Sequence, residues 1–457
     1  MAANDDNHNV LARGPGVSWD ELAAADSRPV PEYLERDTWQ DLGSEPLSTE
    51  RYTSPAFFNQ ELEKMWPRVW QFAAREEELR NPGEVVVYEN AGRSYALTRQ
   101  QDGSVRAFHN VCLHRGRKLR TADGRVPEFR CPYHGWTWNL DGSLKTIPSR
   151  WDFRHLDNEP LNLPEAEVAS WGGFIFVRDE PGGPSLLEFL GELPQHFERW
   201  LPERRYTTAW AAKVVPANWK ATAEAFMEAY HVIATHPQIM PFTGDANSKY
   251  NLYGDNVNLA ITPFGTSSPH LQDTVLEEQA IMDAFLKYNG RVVPKNGTIE
   301  VPPGVTARRA MGDFNRRRFS ELSGMDLDHA SDAELQDALT YNVFPNFAPW
   351  GGFSPSVVYR WRPWPDQDHT LMEVRILSLA PEGQPLPESA RMQMLEPHQN
   401  WSEALGVLGS IVDQDMGNLP HVQAGMKLSK TKKLQLANYQ EVRVRHFHQT
   451  LDKYLAD

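Results

Sequence analysis

The chain contains two cysteines, and each stands in a short string beside a histidine: Cys112-Leu113-His114 and Cys131-Pro132-Tyr133-His134. The strings read C-x-H, a gap of sixteen residues, then C-x-x-H. Two thiolates and two imidazoles on two tight loops can hold a two-iron, two-sulfide cluster, with sulfur ligands on one iron and nitrogen ligands on the other. Neutral imidazoles in place of anionic thiolates remove negative charge. Such a cluster accepts an electron at roughly −150 to +300 mV, against about −400 mV for a four-thiolate plant-type cluster. The same ligand types also form structural zinc sites, where like ligands pair as C-x-x-C and H-x-x-x-H. Here each loop mixes the two types. Arg115-Gly116 follows the first loop and Gly135-Trp136-Thr137-Trp138 the second. Glycine lets the backbone approach a cluster closely, and Tyr133 and Trp136 can wall it from water.

A second constellation lies about a hundred residues further on, in Asn218-Trp219-Lys220-Ala221-Thr222-Ala223-Glu224-Ala225-Phe226-Met227-Glu228-Ala229-Tyr230-His231-Val232-Ile233-Ala234-Thr235-His236-Pro237. Good helix formers without Gly or Pro predict a helix over 219–232. Glu224, Glu228 and His231 then fall at i, i+4 and i+7 on one stripe. His236 lies too far on for that face, and Pro237 tends to end the helix, so the chain should loosen near 233–236 and swing His236 toward His231. Two imidazoles and one carboxylate make the facial triad of non-heme iron(II) sites, which leaves positions open for oxygen. Taken alone, these residues also read as an ordinary, partly exposed helix face. The carboxylate candidates are Asp413 and Asp415 in Gly409-Ser410-Ile411-Val412-Asp413-Gln414-Asp415-Met416-Gly417. On a helix these two point about 200° apart, so one of them can face a metal.

The second loop, Cys-Pro-Tyr-His-Gly-Trp, resembles that of the Rieske non-heme iron oxygenases. Their iron motif, D/E-x-x-H-x-x-x-x-H after N-W-K, is matched by Glu228, His231 and His236 behind Asn218-Trp219-Lys220. The family often places an acidic pair or triplet ahead of Q-x-G. Gln423 and Gly425 stand eight and ten residues past Asp415, an offset that favours Asp415 over Asp413. The resemblance runs from about residue 46 to the end, with its specific residues in these three places. It implies an oxygenase α subunit that takes electrons from NADH or NADPH through a separate reductase, often with a ferredoxin, and no dinucleotide fingerprint is found here. It further implies one Rieske 2Fe–2S cluster on Cys112, His114, Cys131 and His134, and one mononuclear iron on His231, His236 and Asp415. The working unit implied is a homotrimer or a multiple of it, with or without β subunits, in which Glu228 bridges His134 of one subunit to His231 of the next. Two departures stand out. The bridging acid is commonly Asp, and Glu is known there in members that oxidise quaternary ammonium compounds. The usual E-N-F reads Glu224-Ala225-Phe226, which makes arene cis-dihydroxylation less certain. Monohydroxylation and N- or O-dealkylation stay open beside dihydroxylation. So does a pure electron carrier, which would leave residues 186–457 idle. The expected substrate pocket is apolar and bulky: Phe226, Met227, Val232, Ile233, Met240, Leu259, Phe264, Trp350 and Phe353.

Length and composition accommodate this. A chain of 457 residues, with 40% apolar content, 15 Trp, 20 Phe and 14 Tyr, can build two domains with real cores. A net charge of −15 argues against nucleic acid as a partner. No apolar run is long enough to span a membrane. Met1 to Asn9 is polar and unlike a signal peptide, and cysteines used as ligands suit a reducing cytoplasm. The fold class expected is α+β: an arm over 1–45 with a short helix near 18–25, a small antiparallel β domain over 46–183, and a larger α+β domain over 184–457. Residues 54–70 have helical periodicity. Strands are expected at 84–89, 94–99, 105–110 and 174–178, with turns at Asn90-Ala91-Gly92, Asp102-Gly103, Asp123-Gly124 and Asp141-Gly142. Pro181-Gly182-Gly183-Pro184 marks the boundary. Helices follow near 185–200 and 271–288, then a strand pair at 357–364 and 370–378, then a helical block over 388–425. Arg308, Arg309, Arg316, Arg317 and Arg318 read as a solvated helix face, or as a docking site for an acidic electron carrier.

Overall fold

The structure, a computed structural model, describes residues 16–271, 274–289 and 297–456. The chain divides into two compact units, Met1–Phe57 with Leu190–Lys453, and Phe58–Phe189 with Tyr454–Asp457. Both mix helices with antiparallel sheet, an α+β fold. Met1 to Asn9 lies outside the described residues.

The smaller unit is built on a seven-stranded antiparallel sheet. Its order is Gln71–Arg75, Phe174–Arg178, Glu165–Trp171, Val105–His109, Arg93–Arg99, Glu84–Asn90 and Gly124–Arg125. A three-stranded sheet of Phe129–Arg130, Thr137–Trp138 and Leu144–Thr146 lies beside it in sequence. The hairpins close where turn chemistry demands. Ala91 and Gly92 both take positive φ between Glu84–Asn90 and Arg93–Arg99, as a two-residue turn of this hand needs. Gly142 has φ +80°, and a Cβ there would meet the Phe108 ring at 2.4 Å. Cys112 and Cys131 belong to this unit's core, packed among Phe108, Phe129, Trp136 and Trp138. Burying each of these aromatic side chains contributes roughly 1.5–3 kcal/mol, and that packing fixes the two loops. The strands Gln71–Arg75 and Glu165–Trp171 were not expected from the sequence.

The larger unit holds two main sheets beside a short two-stranded one, Leu47–Ser48 with Lys433–Leu434. One main sheet is ordered Ala348–Pro349, Ser356–Pro363, Thr370–Leu379, Arg205–Val215 and Gln393–Met394. The other is Lys249–Tyr253, Val257–Thr262 and Ala338–Val343. A bridge between Thr340 and Trp350 links them. Glu373, buried in the first sheet, pairs with Arg360 and Arg362 at 2.6 Å each. The helix Ser402–Leu428 packs on Arg205–Val215.

Several expectations need correction. The helix predicted over 219–232 is two short helices, Trp219–Glu224 and Val232–Thr235, with irregular backbone between them. The break is held by partners from elsewhere: Tyr250 Oη accepts from Ala229 N, Arg443 Nη1 donates to the Met227 carbonyl, and Glu228 Oε2 accepts from His231 N. These bonds replace the i→i−4 ladder that propensity favours. The helical block begins only at Ser402, because the chain before it is non-helical, pairing through Gln393–Met394 with Arg205–Val215 and then turning at 397–399. The arginine cluster is a solvated face only in part: Arg317 is exposed and Arg309 and Arg318 are half-buried. Arg308 is buried on Asp337 and Arg316 on Asp332, at 2.6 and 2.7 Å. The terminal helix Val442–Ala456 was not expected.

Ser402–Leu428 is interrupted at Gly406, where φ is 59° and ψ −135°. Its opening turn folds back, so Asp413 accepts from Trp401 N and Ser402 N at 2.7 and 3.1 Å. Gly409 lies under that fold, and a Cβ there would fall 2.4 Å from the Trp401 carbonyl carbon and oxygen. In an ordinary helix Gly→Ala stabilises by about 1 kcal/mol. Gly409→Ala is expected to do the reverse, lowering stability by about 1–3 kcal/mol through overpacking. Denaturant unfolding checks the sign, and an unchanged or raised midpoint would show that the close approach does not constrain the chain.

Candidate metal centres

In the smaller unit the two cysteine loops are the same knuckle used twice. Cys112 N donates to Arg117 O and its carbonyl accepts from Gly116 N; Cys131 N donates to Trp136 O and its carbonyl accepts from Gly135 N. Gly116 and Gly135 take φ of 71° and 77°, which a side chain would resist. Both sulfurs are buried, whereas His114 is half-buried and His134 exposed. Burial raises the Cys112 thiol, backbone N–H groups of His114 and Arg115 aimed at its sulfur pull it down, and the adjacent Cys131 thiol raises it again. The rings of His114 and His134 lie 4.6 Å apart, and His114 stacks on Trp136 at 5.1 Å. The Nδ1 atom of His114 is buried with no hydrogen-bond partner.

This arrangement fits a two-iron cluster. Sulfur is held inside with N–H donors to it, imidazole stands at the rim, and one ring nitrogen is left for a ligand bond. A single tetrahedral ion would need all four donors around one point. Among the described residues, the set whose donor atoms converge on a single ion is not this one.

That set is His231, His236 and Asp415, whose ligand atoms all lie within 4.8 Å of one another. His236 Nε2 is 2.9 Å and His231 Nε2 3.6 Å from Asp415 Oδ1. Each imidazole is oriented through its other nitrogen. His231 Nδ1 donates to Glu228 Oε1 at 2.6 Å, and His236 Nδ1 to Gln414 Oε1 at 3.0 Å. Gln238 Nε2 also donates to Gln414 Oε1. Outer hydrogen bonds of this kind fix tautomer and ring direction at metal sites, and here they turn both Nε2 atoms toward the Asp415 carboxylate. Burial disfavours the His231 imidazolium, but the Glu228 hydrogen bond and charge, with Asp415, outweigh it and raise His231 to about 9. A site that stabilises positive charge so strongly, with two nitrogens and a carboxylate converging, fits one divalent iron.

Of the two aspartates, the structure brings Asp415 to the histidines and Asp413 to the backbone of Trp401 and Ser402. Glu224 is turned away, accepting from Tyr52 Oη and His448 Nε2. The triad faces a cavity of about 140 Å³. Phe226, Val232, Phe264 and Trp350 line it, with Ile239, Tyr359, Leu408 and Ile411, which the sequence did not single out. Met227, Met240, Leu259 and Phe353 are buried outside the lining, and Ile233 is 43% exposed. The sheet wall is made of small residues instead, Ala260 paired with Thr340 and Thr262 with Ala338. Leu259 alternates to the opposite face. Gln414 and Arg443 were also missed. Gln414 sits beside the predicted ligand, a signal that was available; nothing in Val442-Arg443-Val444-Arg445 marks Arg443.

Two family models cover these regions: "Rieske [2Fe-2S] domain" over residues 69–157 and "Ring hydroxylating alpha subunit (catalytic domain)" over residues 197–457. The chain belongs to the ring-hydroxylating α-subunit family and carries a Rieske domain ahead of the catalytic domain. Its cofactors are accordingly a Rieske 2Fe–2S cluster and a mononuclear iron. It is 31% identical over 194 residues to the carnitine monooxygenase oxygenase subunit of Escherichia coli K12, a match covering 41% of this chain and 50% of that one. It is 35% identical over 190 residues to the large oxygenase component of a Pseudomonas aeruginosa naphthalene 1,2-dioxygenase system, covering 39% and 42%. The chain thus spans about half the length of the curated relatives it matches. In fold it is similar to naphthalene 1,2-dioxygenase with indole bound, at a TM-score of 0.64 and 20% identity over 90% of this chain and 92% of that one.

Two outcomes follow from the triad. Asp415→Ala is expected to lose the mononuclear iron and keep the two cluster irons, while Asp413→Ala keeps both; iron analysis beside the cluster's absorption spectrum reads this. Iron loading must also displace the proton held on His231, so affinity at the mononuclear site should fall about tenfold per pH unit below about 9. Proton release measured calorimetrically in two buffers checks it, and no release at pH 7 would count against the charge arrangement.

Proposed function

We propose that the chain is the terminal oxygenase of a multicomponent system, using O2 and electrons relayed from NAD(P)H to hydroxylate a bulky, mostly apolar molecule. The observation that carries this is the convergence of His231, His236 and Asp415 on a cavity walled by aromatic rings. Phe226 and Tyr359 pack at 4.5 Å, and Trp350 meets Tyr359 edge-on at 6.5 Å. Such a wall suits an aromatic or polycyclic body. A pure electron carrier would have no use for this cavity. A second reading, N- or O-dealkylation or quaternary ammonium monooxygenation at the same centre, is favoured by the glutamate at position 228 and by the similarity to a carnitine monooxygenase.

In this reading Cys112, His114, Cys131 and His134 hold the cluster, and His231, His236 and Asp415 hold the iron. Bound together, the two cofactors supply one-electron storage and oxygen activation. The chain's own residues do the positioning. Glu228 takes the His231 Nδ1 proton in a hydrogen bond and keeps Nε2 directed at the site, Gln414 does the same for His236, and the apolar lining excludes water. The exposed His134 ring and the Glu228–His231 bond support a bridge from His134 of one subunit to Glu228 of the next, in a homotrimer or a multiple of it. A ferredoxin or reductase is the electron donor, and β subunits are compatible with this scheme. Cysteines committed to a cluster favour a reducing, cytoplasmic setting. No helix among the described residues is long and apolar enough to cross a membrane.

The test is substrate-dependent NADH oxidation with a surrogate reductase across a compound panel, with product masses showing added oxygen. Glu228→Gln keeps side-chain size and removes the charge. Both metal sites should stay filled and cluster reduction stay fast, while product formation falls about 10–100-fold. A fully active Glu228→Gln enzyme would show that electrons take another route.

A further inference from the structure

The chain carries a net charge of −15, yet between His109 and His155 nine Lys and Arg stand against four Asp and Glu. This is the segment that holds Cys112, His114, Cys131 and His134. Three of its cations are neutralised in ion pairs: Lys118 with Glu89, Lys145 with Glu128 and Arg150 with Asp157. Arg115, Arg117, Arg130 and Arg154 pair with no carboxylate among the described residues. Arg115 and Arg130 stand one at each cysteine loop. Arg115 follows His114 directly and lies over the Tyr133 ring at 5.4 Å, and that ring packs on His134 at 3.8 Å. Arg130 precedes Cys131, and its guanidinium stands beside Gly135, where a Cβ would fall 3.8 Å from Nη2. Both side chains are exposed, so packing inside the fold does not account for them.

With two thiolates and two neutral imidazoles, an oxidised 2Fe–2S cluster carries no net charge, and one added electron gives it one negative charge. The acidic remainder of the chain opposes that electron, whereas a fixed cation close to the cluster favours it. A guanidinium keeps its charge throughout the working pH range, so its contribution does not titrate away. We infer that Arg115 and Arg130 set the reduction potential of the cluster: a fixed positive charge at each loop raises it and favours uptake of one electron from the reduced ferredoxin or reductase. This rests on the Rieske cluster assigned above and not on the identity of the substrate. Neither residue touches the reacting atoms at the mononuclear iron, so both act through the cluster, by charge.

The test is a spectroelectrochemical titration of the cluster in the full-length protein, with no substrate present. Arg115→Gln and Arg130→Gln are each expected to lower the equilibrium constant for reduction about threefold to tenfold at low ionic strength, tenfold for one electron being about 59 mV. The double variant should lower it by about the product of the two, because the charges act independently through space. Arg115→Lys and Arg130→Lys keep the charge and should stay within about twofold of the natural protein. A potential unchanged in either Gln variant overturns the inference. Lys variants that shift as far as the Gln variants also overturn it, since stacking or packing would then be responsible rather than charge. The absorption and paramagnetic spectra of the cluster verify that each variant has kept it. Should the variants lose the cluster, the natural protein decides alone. Raising salt from about 0.01 to about 1 M shrinks the screening length from about 30 to about 3 Å and should lower the potential, because the favourable local cations are screened. A potential that stays level or rises with salt overturns the inference, since the acidic remainder of the chain would then dominate. A natural protein with no 2Fe–2S spectrum would sink the cluster reading itself, which is a different result.

Discussion

The larger unit depends on keeping the seven residues 225–231 out of a helix. Between Ala225 and His231 the chain has the propensity to continue the helix begun at Trp219, and continuing would carry Glu228 and His231 round a regular stripe. Instead the peptide groups find partners on two other elements and within the segment. Tyr250 comes from the strand Lys249–Tyr253, Arg443 from the terminal helix, and the Glu228 side chain from within the segment itself. Buried backbone donors and acceptors must be satisfied somewhere, so these side chains determine the conformation as much as they decorate it. With the helix interrupted, His231 and His236 can present Nε2 to the same point although they are five residues apart.

The carboxylate that meets them is delivered by an independent device. Gly406 kinks the long helix, Gly409 admits the returning turn, and Asp413 caps that turn through Trp401 and Ser402. Asp413 is therefore spent on the backbone, and Asp415, two residues on and about 200° round the helix, faces the histidines. Gln414 lies between them in sequence and orients His236. Three successive side chains thus perform a cap, an orienting hydrogen bond and a metal-directed carboxylate. A shift of one residue in this helix would lose all three together.

Much of this was legible in the sequence, and what was not shares one cause. The cysteine–histidine loops were readable because donor type and spacing are local, and each knuckle closes within six residues. Four strands of the smaller unit, Glu84–Asn90, Arg93–Arg99, Val105–His109 and Phe174–Arg178, were readable from their residue types and from turns such as Ala91-Gly92 and Asp102-Gly103. Asp415 could be preferred over Asp413 only by resemblance, since the distinction is made by Trp401, a dozen residues away. The break at 225–231 was invisible because its cause lies at Tyr250 and Arg443. The cavity was read as a set of bulky apolar residues, whereas its sheet wall is Ala260, Thr262, Ala338 and Thr340. Space exists where side chains are small, and hydrophobicity alone does not report it. Arg308 and Arg316 looked solvated because their carboxylate partners, Asp337 and Asp332, are distant in sequence.

Arg443 ties these threads together physically. The same guanidinium that accommodates the Met227 carbonyl, and so stabilises the break, also crosses to Thr340 on the cavity's sheet wall and to Asn258 on the neighbouring strand. A neutral donor of similar reach, such as glutamine, could satisfy the Met227 carbonyl alone without burying a charge. Retaining a full cation there raises the penalty of burial, which its depressed pKa reflects. Its partners within the protein are a carbonyl, an amide and a hydroxyl, all neutral, so nothing bonded to it cancels the charge. A buried cation without a bonded anion is strongly unfavourable unless something completes it. Within the protein, the nearby Tyr250 and Glu228 offset part of that penalty by favouring the charged form.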